Sequence, residues 1–126
     1  MALHILVVDD DADVLSMLVE MLRVSGFIVT AAESGIAMRE ILAGKPLLLL
    51  DAVVLDCTMP GEPSAQLALH ANSLRLPVVM VSGSFEAIKL AEENGLQLLR
   101  KPFRMPDLQA AIRVAINSGA FGERDA

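Results

Sequence analysis

The chain has little of what redox, zinc or nucleic-acid chemistry draws on. Its 126 residues include one cysteine, two histidines, no tryptophan and no tyrosine. The lone Cys57 excludes an intrachain disulfide, and His4 and His70 do not stand at zinc-ligand spacings from it. Lysine and arginine number 10 against 16 acids, for a net charge of −6. No basic stripe is present to release counterions from a nucleic acid, so nucleic acid is not an expected partner. Long apolar runs are missing too. The richest, Leu47 to Leu55, is interrupted by Asp51 and ends at Asp56, too short to cross a bilayer. The opening Met1-Ala2-Leu3-His4 has neither the basic region nor the cleavage pattern of a secretory leader, so no membrane association and a cytoplasmic location are expected.

What is present is apolar and periodic. Hydrophobic residues make up 54% and charged residues 21%, a composition that packs a core rather than staying disordered. The length fits one domain, residues 1–126, with a core over about 3–117 and a tail over 118–126. Five short apolar runs read as strands: Leu3 to Val8, Phe27 to Thr30, Ala52 to Leu55, Pro77 to Val81 and Gln97 to Arg100. Helices alternate with them. The first runs from Ala12 to Ser25, with Val14, Met17, Leu18, Met21 and Leu22 at helical spacing and Gly26 as its stop. Ser34 caps a second, whose apolar face is Ala37, Met38, Ile41 and Leu42 and which Gly44 follows. Ser64 to Ser73 and Phe85 to Asn94 give two more, and Pro106 opens a fifth that buries Leu108, Ile112 and Ala115. Strands that alternate with helices need crossover connections, so a parallel sheet covered on both faces, a doubly wound α/β fold, is expected.

In such a sheet the functional crevice lies beyond the carboxyl ends of the strands. Those ends carry Asp9 and Asp10, then Asp56, then Ser82 with Gly83, then Lys101 with Pro102. Three carboxylates, a hydroxyl and an ammonium suit phosphoryl transfer to a carboxylate. Crowded acids call for a hard cation with oxygen ligands, for which Mg²⁺ is the natural choice. Asp10 and Asp56 would bind it directly, with Asp9 acting through water. Asp56 would be the nucleophile, Lys101 would hold a phosphoryl oxygen, and Ser82 would donate a hydrogen bond to another, with Gly83 leaving the approach open. The acids have a structural use as well: Asp11 or Asp13 suits the cap of the first helix. Cys57 reads as a small buried filler, and the two histidines as surface or strand-edge residues.

The segments Ile5-Leu6-Val7-Val8-Asp9-Asp10-Asp11, Val54-Leu55-Asp56-Cys57-Thr58-Met59-Pro60-Gly61, Val79-Met80-Val81-Ser82-Gly83 and Leu99-Arg100-Lys101-Pro102-Phe103 resemble, in order, the four signature blocks of response-regulator receiver domains. The resemblance spans about residues 3–117. It implies a flavodoxin-like five-stranded parallel sheet of order 2-1-3-4-5 with five helices. It further implies a Mg²⁺ site that also uses the backbone carbonyl of Thr58, and a cis peptide between Lys101 and Pro102. By the same resemblance Asp56 is the phosphoacceptor, loaded by a histidine kinase or a histidine phosphotransfer protein. Such a chain is not a turnover enzyme but catalyses its own phosphorylation and dephosphorylation.

Three departures from the family pattern stand out. Leu98 occupies the position of the usual tyrosine or phenylalanine, which leaves output to the Ser82 to Ser84 loop or to the fourth helix. The interval from Ser82 to Lys101 is slightly short, and Pro63 and Ser64 replace a usual glycine. A stand-alone receiver that switches protein contacts or relays phosphate is the leading expectation. The absent aromatic motivates a second, a docking or dimerisation scaffold with phosphorylation-independent output; an apolar strip on helix four, strand five or helix five is the candidate homodimer face. An aspartyl phosphatase is disfavoured, because Thr58 stands where such enzymes usually carry a second acid.

Overall fold

A computed structural model of the chain describes residues 2–44 and 49–118. Five strands, β1 (His4–Val8), β2 (Ile28–Ala32), β3 (Ala52–Asp56), β4 (Val78–Ser82) and β5 (Gln97–Arg100), alternate with α1 (Ala12–Val24), α2 (Gly35–Ala43), α3 (Ser64–Ser73), α4 (Phe85–Glu93) and α5 (Met105–Ser118). The sheet is parallel throughout, in the order β2-β1-β3-β4-β5. This is the expected doubly wound, flavodoxin-like arrangement.

Alternation along each strand divides the core in two. Ile5, Val7, Val54, Val79 and Val81 pack with α1 and α5, whereas Leu6, Val8, Val53, Leu55 and Met80 pack with α2, α3 and α4. β1, β3 and β4 are buried on both faces and therefore read as continuous apolar runs. β5 is an edge strand and only half-buried. Among the described residues no helix is long and apolar enough to cross a membrane.

The second strand begins and ends later than its sequence suggests. Phe27 is buried but spends its backbone N–H on the carbonyl of Leu22 at 3.0 Å, while Gly26 donates to Arg23 at 3.0 Å. This pair of bonds closes α1, with Gly26 at φ 100°, so the strand starts only at Ile28. α4 closes the same way at Gly95, where Leu96 donates to Ala91 at 2.8 Å. α3 repeats the turn with Arg75 at φ 64° and Leu76 donating to Ala71 at 3.0 Å. The last helix runs through Ser118, one residue into the expected tail, because Ser118 still donates from its hydroxyl to the Ala115 carbonyl at 3.3 Å. Residues 119–126 of that tail lie outside the described residues. His4 opens the inner strand β1 rather than lying at a sheet edge, and its ring nitrogen Nε2 is 2.7 Å from the Thr30 hydroxyl.

A Cβ at residue 26 would meet no atom within 4 Å, so backbone conformation is all that a substitution there disturbs. Gly26→Ala is expected to lower unfolding stability by about 1–2 kcal/mol, the cost of a left-handed non-glycine residue. Urea titration followed by helical circular dichroism measures it, since the chain has no tryptophan or tyrosine to report by fluorescence.

Candidate phosphoacceptor site

Parallel pairing fixes what meets at the carboxyl end of the sheet. Val8 of β1 is paired with Leu55 of β3, so the next residues, Asp9 and Asp56, emerge side by side. Asp56 is in turn paired with Val81, and Ser82 with Arg100, which sets Ser82 and Lys101 on the other flank. Asp9 and Asp56 are each 3% exposed and Ser82 is fully buried, whereas Asp10 is exposed. Each of the three acids offers a carboxylate oxygen, and these oxygens lie within 4.8 Å of one another. Lys101 reaches across from the end of β5, its Nζ 3.6 Å from Asp56 Oδ1. The five side chains expected from sequence to form a site are thus brought together.

Hydrogen bonds assign these groups different duties. Asp9 Oδ1 accepts the backbone N–H of Asp11 at 2.9 Å. Asp11 itself caps α1, accepting from the N–H groups of Asp13 at 3.0 Å and Val14 at 3.1 Å, so it is committed to the helix. Burial pushes the Asp9 carboxyl above its ordinary range; the bond from Asp11 opposes this, the charge of Asp56 adds to it, Lys101 opposes it and Asp10 adds a little more. A carboxyl held this way gains from a nearby cation. The donors here are carboxylate oxygens, without imidazole or thiolate, a set that fits Mg²⁺ or another hard divalent ion rather than zinc.

Thr58 takes part in a way its residue type did not announce. Its hydroxyl lies 3.0 Å from Asp56 Oδ1 and 2.9 Å from Oδ2, and its backbone N–H donates to Oδ1 at 3.3 Å. Ser64, at the start of α3, donates from its hydroxyl to the Asp56 carbonyl at 3.2 Å. Ser82 Oγ accepts the N–H of Ser84 at 2.9 Å, and Ser84 Oγ accepts the N–H of Ala87 at 3.3 Å as the cap of α4. The sequence signal for these contacts was only a run of small hydroxyl residues beside the strand ends. A Cβ on Gly83 would make ordinary contacts, 3.8 Å to Lys101 Cβ, so space alone does not demand glycine there. The Lys101-Pro102 peptide is cis, as the resemblance implied.

Beside Lys101 a groove of about 620 Å³ opens between α1 and the segment after β5. Val14, Met17, Leu18, Met21, Phe103 and Met105 line it. Asp13 and Glu20 border an adjoining hollow along α1. The groove therefore has an apolar floor and an acidic margin.

Comparison with known proteins agrees with this geometry. Residues 5–113 match the family described as response regulator receiver domain. Among curated proteins, the transcriptional regulatory protein PrrA of Mycobacterium tuberculosis is 35% identical over 119 residues, covering 90% of this chain and 49% of PrrA. Protein PetR of Rhodobacter capsulatus is 30% identical over 117 residues, covering 90% and 48%. The chain spans about half the length of these curated relatives. Among solved structures, a response regulator receiver domain protein of Clostridium thermocellum superposes with a TM-score of 0.82 at 27% identity, covering 92% of this chain and 95% of that one. A response regulator of Chloroflexus aurantiacus gives 0.78 at 29% identity, covering 93% and 99%.

Cys57 adjoins Asp56 and carries little thiolate at neutral pH. Burial, and after it the negative charge of Asp56, pushes its thiol up to about 11. A raised pKa means less thiolate at every pH below it, so alkylation of folded protein at pH 7.5 is expected to run about a hundredfold slower than for a free cysteine and to accelerate until about pH 11. Iodoacetamide labelling read by intact mass checks this; rapid labelling at pH 7.5 contradicts it.

Proposed function

The chain belongs to the response regulator receiver domain family, and from that premise we propose that it accepts a phosphoryl group from a phosphohistidine on Asp56 and uses the acyl phosphate to switch its protein contacts. One observation carries the reading: a buried carboxylate at the end of a central strand, with two further acids within 4.8 Å and a lysine at 3.6 Å. Asp9, Asp10, Asp56 and the main-chain carbonyl of Thr58 would hold Mg²⁺. When bound, the ion would neutralise the crowded carboxylates and the charge on the incoming phosphoryl group.

The chain's own groups do the rest. An oxygen of Asp56 forms the new bond to phosphorus as the phosphorus–nitrogen bond to the donor imidazole breaks, and the imidazole keeps the electron pair and takes up a proton. Lys101 stands beyond hydrogen-bond distance of Asp56, and its side chain is 38% exposed, so it is free to swing onto a phosphoryl oxygen. The Ser82 oxygen accepts a bond from Ser84, which leaves its own proton to donate to a second phosphoryl oxygen. Thr58 must release one Asp56 oxygen for attack while steadying the other. Reversal is hydrolysis: water attacks phosphorus and the Asp56 carboxylate leaves. The phosphodonor would be a histidine kinase or a histidine phosphotransfer protein in the cytoplasm, presenting its helix to the apolar groove along α1, whose position beside Lys101 brings a docked imidazole toward Asp56.

A second reading keeps some support. Phe85, Leu90 and Val114 expose apolar surface on α4 and α5, and Leu98 on β5 replaces the usual aromatic. A homodimer through α4, β5 and α5 with phosphorylation-independent output would use that face. Because the matched relatives are about twice as long, the output that follows phosphorylation belongs to the proposal as well.

Incubation with acetyl phosphate and Mg²⁺ is expected to add a single phosphoryl group by intact mass, and to add none with EDTA or in Asp56→Asn. Lys101→Ala should label about a hundredfold more slowly, the usual penalty for removing a preorganised charge partner. No adduct in wild type, from acetyl phosphate or from phosphorylated kinases, sinks the phosphoacceptor reading in favour of the scaffold. Met21→Glu places a charge in the groove, and should slow transfer from a phosphohistidine protein by about tenfold while leaving acetyl phosphate labelling unchanged. Equal slowing with both donors would remove the groove from the docking reading.

A further inference from the structure

The loop behind Asp56 is gripped from outside the site by a pair of residues that the proposed chemistry does not use. β3 ends at Asp56 and α3 begins at Ser64, so residues 57–63 must carry Thr58 past the carboxylate. This segment has few anchors of its own. Pro63, at the start of α3, supplies no side-chain cap, and Gly61 turns the backbone at φ 94°. Thr58 hydrogen-bonds inward to Asp56, and Met59 is buried in the core. On the outer side Glu62 is taken by Arg39 of α2: Nε donates to Oε1 at 2.7 Å and Nη2 to Oε2 at 2.5 Å.

Arg39 comes from a helix face that is itself fixed. Gly35, four residues earlier and so on the same side of α2, approaches α3 so closely that a Cβ there would lie 3.0 Å from Leu67 Cδ1. Met38 and Leu42 anchor the same helix in the core. The two-point fork restricts orientation as well as distance, which a single ammonium contact would not. The Arg39 guanidinium beside Glu62 holds its carboxyl below the usual carboxylate range, and Glu62 raises Arg39 in return.

We propose that Arg39 is a positioning residue for this site. Through Glu62 it fixes the β3–α3 loop so that the Thr58 carbonyl and the Asp56 carboxylate are presented together to the cation. The inference rests on the phosphoacceptor reading and adds to it a specific dependence. Mg²⁺ tolerates little departure from its preferred ligand placement, so a loosened loop costs cation affinity before it costs the intrinsic rate of transfer.

The test compares wild type with Arg39→Ala, Glu62→Ala and the charge-exchanged Arg39→Glu/Glu62→Arg. The Mg²⁺ concentration at half-maximal rise in melting temperature, with no phosphodonor present, is expected to increase by about two- to fivefold in each single variant, the range for a partly exposed but well-formed ion pair. The exchanged pair should return to within about twofold of wild type. Amide hydrogen exchange at Thr58, Met59 and Gly61 should quicken in the single variants and not in β3 or β4. Unchanged Mg²⁺ midpoints, with or without a lower melting temperature in the absence of Mg²⁺, overturn the proposal, as does failure of the exchanged pair to restore them. If wild type itself shows no response to Mg²⁺, the clamp's role at a cation site is overturned whatever the loop exchange shows, while acetyl phosphate labelling of wild type decides the phosphoacceptor reading separately.

Discussion

Asp9 and Asp56 are two carboxylates buried side by side, and this electrostatic constraint governs the carboxyl end of the sheet. Both are almost wholly buried, and burial together with the charge of Asp56 raises the cost of ionising Asp9. They are neighbours because β1 and β3 run parallel and in register, so the constraint is a consequence of the topology itself. Relief comes from every side the fold makes available. Asp11 donates an N–H to Asp9, Thr58 offers a hydroxyl and an N–H to Asp56, and Lys101 stands at the edge of Asp56. These contacts reduce the repulsion without cancelling it, since among the described residues Lys101 is the one cation paired with this group of three acids, and it is paired with Asp56. A site left short of positive charge in this way is suited to binding a divalent cation and then a phosphoryl group, which the proposed switch requires.

The same parallel architecture explains why so much could be read from sequence. Strands buried on both faces appear as uninterrupted apolar runs, and the first polar residue after each marks the carboxyl end, where a crevice suited to ligands is expected in a doubly wound sheet. Asp9, Asp10, Asp56 and Ser82 were legible for that reason, whereas Lys101 follows the half-buried edge strand β5 and was legible from the Leu99-Arg100-Lys101-Pro102-Phe103 block. Boundaries were less so where backbone hydrogen bonds decide them. Phe27 has the apolar character of a strand residue, yet its N–H belongs to the cap of α1, and only the structure shows that allegiance. Arg75 adopts at the end of α3 the left-handed turn that Gly26 and Gly95 announce elsewhere, and no propensity signals an arginine there. Arg39 and Glu62, which are 23 positions apart, were illegible for a different reason. Neither belongs to a strand end or a periodic face, and their meeting depends on how α2 packs on α3.

Communication from such a site needs a mobile element, and the absence of tyrosine narrows the choice. Leu98 packs against the core on the α4 side of the sheet. It has no polar tip to favour an exposed orientation, so it lacks the two comparable positions that an amphipathic ring would have. The hydroxyl chain from Ser82 to Ser84 remains. Ser82 Oγ holds the Ser84 N–H, and Ser84 Oγ caps α4 while also bonding Glu86 at 3.1 Å. In the proposed reading, a Ser82 hydroxyl drawn to a phosphoryl oxygen moves the residue that positions this cap. The loss of a cap is worth about 1 kcal/mol, a small amount against a firmly packed helix. α4 is not firmly packed: Ala91 is its one buried residue, whereas α1 buries three leucines and α5 buries Leu108, Ala111, Ile112 and Ala115. The helix nearest the proposed switch is thus also the one a small free-energy change can shift, and the exposed Phe85 at its start would shift with it.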